Sequence, residues 1–252
     1  MSMNWNEQDH PRDNDGKFTD KGTGTPKKVE YRQNTPYEKI LADDRSREAE
    51  SAKAPKPAPF FSHMKSGKDF RGKLLAAKEQ IDERARWRVS SDYTESDYEA
   101  EGVKLYASGD SVYALKPHGK GYDIVSVCAV RGKGAKGREI LADAVAKGGD
   151  RLDAFGADLF NFYTRNGFAP VSWTPFNAEY APEDWKSAKT HGFDVQEEPV
   201  IFYKYTGKST PYTERTYEEF LQTVKPDEGA DGYDNAMRKR DEELDNAKRS
   251  EQ

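Results

Sequence analysis

Apolar positions concentrate between about residues 69 and 205, and their spacing changes along the way. Phe70, Leu74, Ala77, Ile81 and Ala85 fall at i, i+4, i+7, i+11 and i+15, one stripe of an amphipathic helix. Past Trp87 and Val89 a polar, tyrosine-dotted connection follows, with a short helix predicted over Glu95–Ala100. Two short runs, VKLYA and SVYALK, flank Ser108-Gly109-Asp110 and predict a β-hairpin, and Pro117–Gly121 turns the chain into a third strand. In that strand Ile124, Val125, Val127 and Val130 suit burial on both faces. A glycine loop comes next, then a helix with Ile140, Leu141, Ala144 and Val145 on one stripe and Gly148-Gly149 as its stop. Strand RLDAF, a helix over Ala157–Asn166, strand APVSW and closing strand PVIFYKY complete the pattern. The order predicts an α/β fold whose mixed, mostly antiparallel sheet is flanked by helices.

The two ends read differently. Residues 1–64 are rich in Pro, Gly, Asp, Lys and Thr, with a stiff KAPKPAPFF linker and a weak helical segment over Pro36–Ala52, so a disordered extension is expected. Residues 209–252 hold a small helix, YEEFLQTV, and a charged segment with Asp234/Arg238, Arg238/Glu242 and Lys239/Glu243 at i,i+4. Its apolar line of Tyr233, Met237 and Leu244 is thin, so a loosely helical, solvated tail is expected, with a partner-binding helix as the other reading. The folded domain is accordingly expected over 65–208.

Of the 252 residues, 35% are hydrophobic and 34% charged, which leaves one core of ordinary size and confines it to part of the chain. A net charge of −5 offers no broad attraction to nucleic acid. The single cysteine, Cys128, excludes an intramolecular disulfide, and four scattered histidines give no metal-ligand spacing, so no metal is expected. No run reaches the length of a membrane span, and the first residues contain no apolar leader core. A cytoplasmic location is expected.

The stretch with most chemistry is Arg131–Arg138, RGKGAKGR. Gly132, Gly134 and Gly137 have GxGxxG spacing among Arg131, Lys133, Lys136 and Arg138, where a helix begins. First-turn N–H groups, the helix dipole and four cations there predict an anion site. A dinucleotide-binding turn would use the same spacing, with Asp153 toward the ribose, but one strand-loop-helix-strand unit after antiparallel hairpins does not make a doubly wound sheet.

With its order of elements, this stretch resembles the GCN5-related N-acetyltransferase (GNAT) family. RGKGAK resembles that family's acyl-CoA pyrophosphate loop, Q/R-x-x-G-x-G/A, through Arg131 and Gly134. FYTRNGF resembles its YxxxGF segment through Tyr163, Gly167 and Phe168. The two matches and the helix and strand between them cover about a fifth of the chain, and with flanking strands the similarity extends from about Asp69 to Tyr205. Two positions depart from the pattern: Lys136 stands where Gly or Ala is usual, with glycine displaced to Gly137, and Gly156 stands where many relatives carry Asn.

The resemblance implies a GNAT-like sheet and an N-acetyltransferase that moves acetyl from acetyl-CoA to a small-molecule or protein amine. It implies pyrophosphate binding by Arg131, Gly132, Lys133, Gly134, Ala135, Lys136 and Gly137. Backbone groups of Val127, Cys128 and Ala129 would hold the pantetheine, and Tyr163 would act as acid; the other reading of Tyr163 is a core aromatic. Asp123, Glu139 and Glu179 are conceivable bases. Glu179, Tyr180 and Trp185 suit a lid that recognises a cationic amine, or a loop pinned by its aromatics. Cys128 is open to a nucleophile reading or to simple packing in a strand. HPRDNDGKFTDKG (His10–Gly22) resembles a short sequence of phage head-morphogenesis and other mobile-element proteins, which implies virion association and a phage-particle or host partner for the extension. Two further functions stay open: a non-catalytic GNAT-like accessory of a mobile element, and a toxin that acetylates aminoacyl-tRNA.

Overall fold

A computed structural model describes residues 59–193, 195–208 and 216–250. The expected Pro36–Ala52 helix, the His10–Gly22 segment and most of the KAPKPAPFF linker lie outside the described residues. Seven strands form one mixed sheet: β1 Ser62–Met64, β2 Lys104–Ser108, β3 Ser111–His118, β4 Gly121–Cys128, β5 Gly149–Phe155, β6 Phe168–Thr174 and β7 Val200–Tyr205, in the order β1-β2-β3-β4-β5-β7-β6. All neighbours are antiparallel except β4 and β5. The helices are α1 Gly67–Lys78, α2 Glu95–Tyr98, α3 Gly137–Ala146, α4 Gly156–Arg165, α5 Glu183–Thr190, α6 Thr216–Thr223 and α7 Gly232–Ser250, with 3-10 turns at Glu83–Arg88 and Ala178–Tyr180.

Alternation along each strand divides the core between two sheet faces. On one face Leu115, Ile124, Leu152, Ala154, Ile201 and Tyr203 pack against Ile140 and Leu141 of α3, Phe160 of α4 and Phe220 of α6. On the other, Leu105, Val112, Ala114 and Cys128 pack against Phe70 and Leu74 of α1 and Tyr98 of α2. A satellite cluster of Trp87, Ala181, Trp185, Ala188 and Val195 ties α5 to the Glu83–Arg88 turn.

Three features differ from the sequence expectation. Helix α1 starts where Ser66 caps the Asp69 N–H (3.1 Å) but stops at Lys78, so Ile81 and Ala85 leave the stripe. The chain folds back there, and the buried Lys78 ammonium reaches Val89 O (3.0 Å), Ser91 Oγ (2.7 Å) and Asp184. The second is β1, which adds an edge strand inside the expected 1–64 extension.

The third is the C-terminal segment, which is not a solvated tail. Helix α7 lies on β6 and β7, with Ala236 fully buried, Arg240 1% exposed and Leu244 buried, an i, i+4, i+8 stripe. The Ser172 hydroxyl donates to Ala236 O (2.6 Å), and Tyr233 packs edge-on to Phe202 (4.9 Å between ring centroids). One position of the stripe is an arginine whose charge is met by Asp123, so hydropathy alone could not mark it. Together with α6, this helix belongs to the same compact unit, Lys56–Gln252, as the sheet.

Ala236→Asp places a carboxylate against Val200 and Phe202. It is expected to lower stability by about 3 kcal/mol, read as a reduced denaturant midpoint, whereas Asp234→Ala on the exposed side of α7 leaves the midpoint within about 0.5 kcal/mol.

Candidate functional site

Strands β4 and β5 begin side by side and then part. Their parallel pairing consists of Tyr122↔Gly149 and Asp123↔Arg151. Beyond it, β4 bonds only to β3 and β5 only to β7, which leaves two strand edges facing each other without a ladder. The cause lies in β4. Between Val112↔Cys128 and Ala114↔Val125 the register slips by one residue, so β4 carries a β-bulge. Within it Ser126 has a φ of 53°, an uncommon conformation for a residue with a Cβ. The buried Ser126 hydroxyl is tied to the Tyr98 hydroxyl (2.8 Å), which anchors the bulge to α2.

The glycine loop follows β4 directly. Its backbone is fastened to the β2–β3 turn: Asp110 N–H donates to Lys133 O (2.8 Å), Ser111 Oγ to Ala135 O (2.8 Å), and Val130 N–H to Ser111 Oγ (3.0 Å). Each glycine has a local reason, conformational at Gly132 and steric at the other two. Gly132 has a φ of 76°, and a Cβ on Gly134 would lie 2.2 Å from Ser108 O. A Cβ on Gly137 would lie 2.9 Å from the Phe162 ring.

Arg131, Gly132, Lys133 and Gly134 are exposed, Lys133 reaching Gln80 (2.7 Å), while Ala135 is buried in the core. The donor set fits an anion through the Arg131 and Lys133 side chains and the first-turn N–H of Gly137, which α3 itself leaves without an intrahelical acceptor. One donor is already engaged: the Lys136 N–H gives its hydrogen to Glu139 Oε2 (2.7 Å). A carboxylate of the protein thus holds part of the place where a phosphate would bind.

Opposite α3 and α4, β5 directs Arg151 and Asp153 onto the face shared by α2 and α7. Asp153 is partly buried on this face. Burial, and next the Asp123 charge, push its carboxyl up to about 6, and the Arg240 charge acts in the other direction. Asp123 lies 3.0 Å from Arg240 Nη1 and 3.0 Å from His118 Nδ1, and His118 Nε2 lies 2.7 Å from Asp241. The hydrogen bond to Asp123 is the largest cause that raises the His118 pKa. Burial raises the Tyr93 phenol above its usual value, and the Asp153 and Asp123 charges add to the rise.

The residues singled out in the sequence are scattered by comparison. Val127 and Ala129 pack toward the α3 face and Cys128 toward α1, all beyond the end of the β4–β5 ladder. Burial lifts the Cys128 thiol to about 11, and His118 sits at the opposite end of β3, so Cys128 is a packed thiol rather than an activated nucleophile. Tyr163 is 7% exposed among Phe162, Phe168 and Tyr203, and burial raises its phenol well above the ordinary value, with Asp153 adding to the rise from the other side of the sheet. It keeps its proton at neutral pH.

Trp185 does not offer a recognition face: its ring is buried against Phe176 (4.6 Å) in the satellite cluster. Tyr180 is 70% exposed, and Glu179 is exposed on the same 3-10 turn. Among the conceivable bases, Asp123 is occupied by ion pairs and Glu139 by the helix cap. Gly156 has a φ of 71° and carries no side chain because the Glu198 carboxylate fills that space, a Cβ there falling 2.1 Å from its Oε2. Glu198 is gripped by Arg88 through two hydrogen bonds (3.0 and 2.7 Å).

Sequence reasoning missed Asp153 in this role and Arg240. Only the alternation of RLDAF, with Arg and Asp on one face, signalled a polar side to β5. Among the described residues no group of three acidic, His or Cys side chains is arranged to hold a metal, and no helix is long and apolar enough to cross a membrane. No family model, no curated protein and no solved structure matches the chain. Fold and site alone define its class: an α/β protein whose seven-stranded mixed sheet parts between its two parallel central strands.

Two outcomes follow. Glu139→Ala removes the carboxylate that caps α3, and the lost cap is expected to cost about 0.5–1 kcal/mol of stability, read as a reduced denaturant midpoint.

The second concerns Asp153, whose folded pKa lies above its unfolded value near 3.8. The native state therefore binds its proton more tightly, and stability falls as pH rises from about 4 to 6. Asp153→Asn is expected to stabilise the protein above pH 6, on the order of 2 kcal/mol, and to give no gain at pH 4. Thermal melts across that range read the difference.

Proposed function

We propose that the protein is an acyl-CoA-dependent N-acyltransferase of the GNAT type, which transfers acetyl from acetyl-CoA to an amine. The observation that carries the reading is the parting of β4 from β5 at a bulge, directly upstream of an exposed cationic glycine loop and a helix N-terminus. A slot between two strand edges offers unpaired backbone groups to an extended amide chain such as pantetheine, much as an added strand would use them. The loop lies at one end of the β4 edge, where Arg131, Lys133 and the Gly137 N–H would hold phosphate. Bound acetyl-CoA would supply an acyl thioester, so that a carbon–nitrogen bond to the acceptor forms as the carbon–sulfur bond breaks.

The chain's own residues supply proton transfer. Asp153, ionised above about pH 6, takes one proton from the acceptor ammonium and frees the nitrogen lone pair. The second N–H proton leaves with the thiolate, and Tyr163, protonated on the other side of the parted strands, is the nearby group able to relay it. The balance is an ammonium and a thioester giving an amide, a thiol and one proton to solvent. The rival reading, a non-catalytic accessory domain, is favoured by one observation: Glu139 already occupies a donor that a phosphate would use.

Calorimetry of the full chain with acetyl-CoA, followed by a screen of primary amines for thiol release, separates the two. Expected are saturable binding, loss of binding in Gly134→Glu, and thiol release that falls at least a hundredfold in Asp153→Asn with an acid limb near pH 6. No binding by a folded protein at millimolar acetyl-CoA would sink the reading.

A further inference from the structure

We infer that His118 is a pH-sensitive clasp: its protonated ring holds helix α7 onto the sheet, and loss of that proton loosens α7. The clasp does not depend on the acyltransferase reading, and it involves the segment whose sequence suggested a solvated tail.

His118 ends β3, at the hairpin into β4, and its ring lies between two carboxylates on different elements. Nδ1 is 3.0 Å from Asp123 Oδ2 on β4, and Nε2 is 2.7 Å from Asp241 Oδ2 on α7. An ionised carboxylate only accepts, and a neutral imidazole carries one N–H and one lone pair. Whichever tautomer it adopts, the neutral ring therefore sets a lone pair against a carboxylate oxygen. Only the imidazolium meets both carboxylates with N–H.

Arg240 joins the same two carboxylates a second time. Its Nη1 is 3.0 Å from Asp123 Oδ1 and its Nε is 3.0 Å from Asp241 Oδ1, so His118, Asp123, Arg240 and Asp241 close a ring of alternating charge. Arg151 of β5 extends it, with Nη1 2.9 Å from Asp241 and Nε 2.8 Å from Asp150. While His118 is charged, it balances these carboxylates together with Arg240 and Arg151. Without that charge the cluster is left net negative around two buried guanidiniums, where water and salt screen poorly. Lys204 with Glu243 and Lys239 with Asp227 also tie α7 down, but neither pair contains a histidine, the side chain that ordinarily changes charge near neutral pH.

The charged groups facing His118 are Asp123 on β4, Asp241 on α7 and Arg151 on β5, with Arg240, Asp150 and Asp153 behind them. The contact with Asp123 raises the His118 pKa above its ordinary value, burial opposes it, and the charges of Asp123 and Asp241 add to the rise while that of Arg151 subtracts. A folded pKa above the unfolded one gives stabilisation that is complete below about 6.5 and is lost as pH rises through the folded midpoint. What loosens is the cover of β6 and β7, where Ala236 packs with Val200 and Phe202 and the Tyr233 ring meets Phe202.

The test uses the full chain. Carbon NMR of histidine-labelled protein gives the ring's midpoint, with the His118 resonance assigned by single substitutions of His10, His63 and His191. Hydrogen exchange of α7 and α3 amides in the same protein, from about pH 6 to about pH 9, gives local opening as protection factors. Expected are a midpoint above the ordinary histidine value of 6.5 and protection of α7 relative to α3 that falls at least about threefold as the ring loses its proton. His118→Gln, neutral throughout, should remove that pH dependence. Asp241→Asn keeps the ring but not its charged partner on α7, and should move the midpoint downward and flatten the α7 profile.

A His118 midpoint at or below 6.5 overturns the clasp. So does an α7-to-α3 ratio that stays constant while the ring titrates, which is what an ion pair adding only to global stability would give. A fall in the ratio that persists in His118→Gln or, if that variant does not fold, in Asp241→Asn overturns it as well.

Discussion

One extra residue in β4 sets the geometry on which the site depends. A strand that stayed in register with β3 would keep its outer edge parallel to β5 and continue the ladder begun at Tyr122 and Asp123. The bulge around Ser126 bends β4 away instead, and it is held there by a positive φ and by the Tyr98–Ser126 hydroxyl contact. Strain of roughly 1 kcal/mol at such a residue persists only when its surroundings impose it. Here α2, packed on α1 through Phe70 and Tyr98, does the imposing. The helices on that face therefore hold the sheet open as well as covering it.

Parting the strands exposes a central stretch of sheet to which charge can be admitted. β5 is buried on its α3 and α4 side by Leu152 and Ala154, but its other side carries Arg151 and Asp153. Arg151 is met by Asp241 of α7, and the neighbouring Asp123 by Arg240 of α7 and by His118 at the end of the β3–β4 hairpin. The arrangement leaves Asp153 with a pKa well above the carboxylate range while its neighbours remain paired. A carboxyl raised by burial and a neighbouring charge in this way is a feature of many acid–base sites.

Much of this was legible from side-chain spacing. Strands with β-branched or alternating apolar residues, and turns marked by glycine at Gly109 and Gly119, came through because local sterics and burial determine them. The limits of α1 did not, because Ile81 and Ala85 continue a helical period that the chain abandons to let Lys78 reach Asp184 across 106 residues. Helix α7 was misread for a related reason: its buried stripe contains Arg240, whose partner Asp123 is far off in sequence. A charge neutralised by a distant element looks solvated in any window of a dozen residues. The bulge was equally hidden, since one added residue in a β-branched strand leaves no compositional trace.

The two departures from the GNAT pattern take on a different meaning once the packing is known. Glycine stands at 137 rather than 136 because the Phe162 ring of α4 fills the space a Cβ would need at the start of α3. Lys136 in turn takes the extended backbone of the helix cap and is exposed. Gly156 lacks a side chain because Glu198, locked to Arg88, already supplies a carboxylate at the same spot, and the positive φ there suits glycine in any case. Each departure thus follows from a specific contact made elsewhere in the fold, and both contacts leave the parted strands and the loop cations in place.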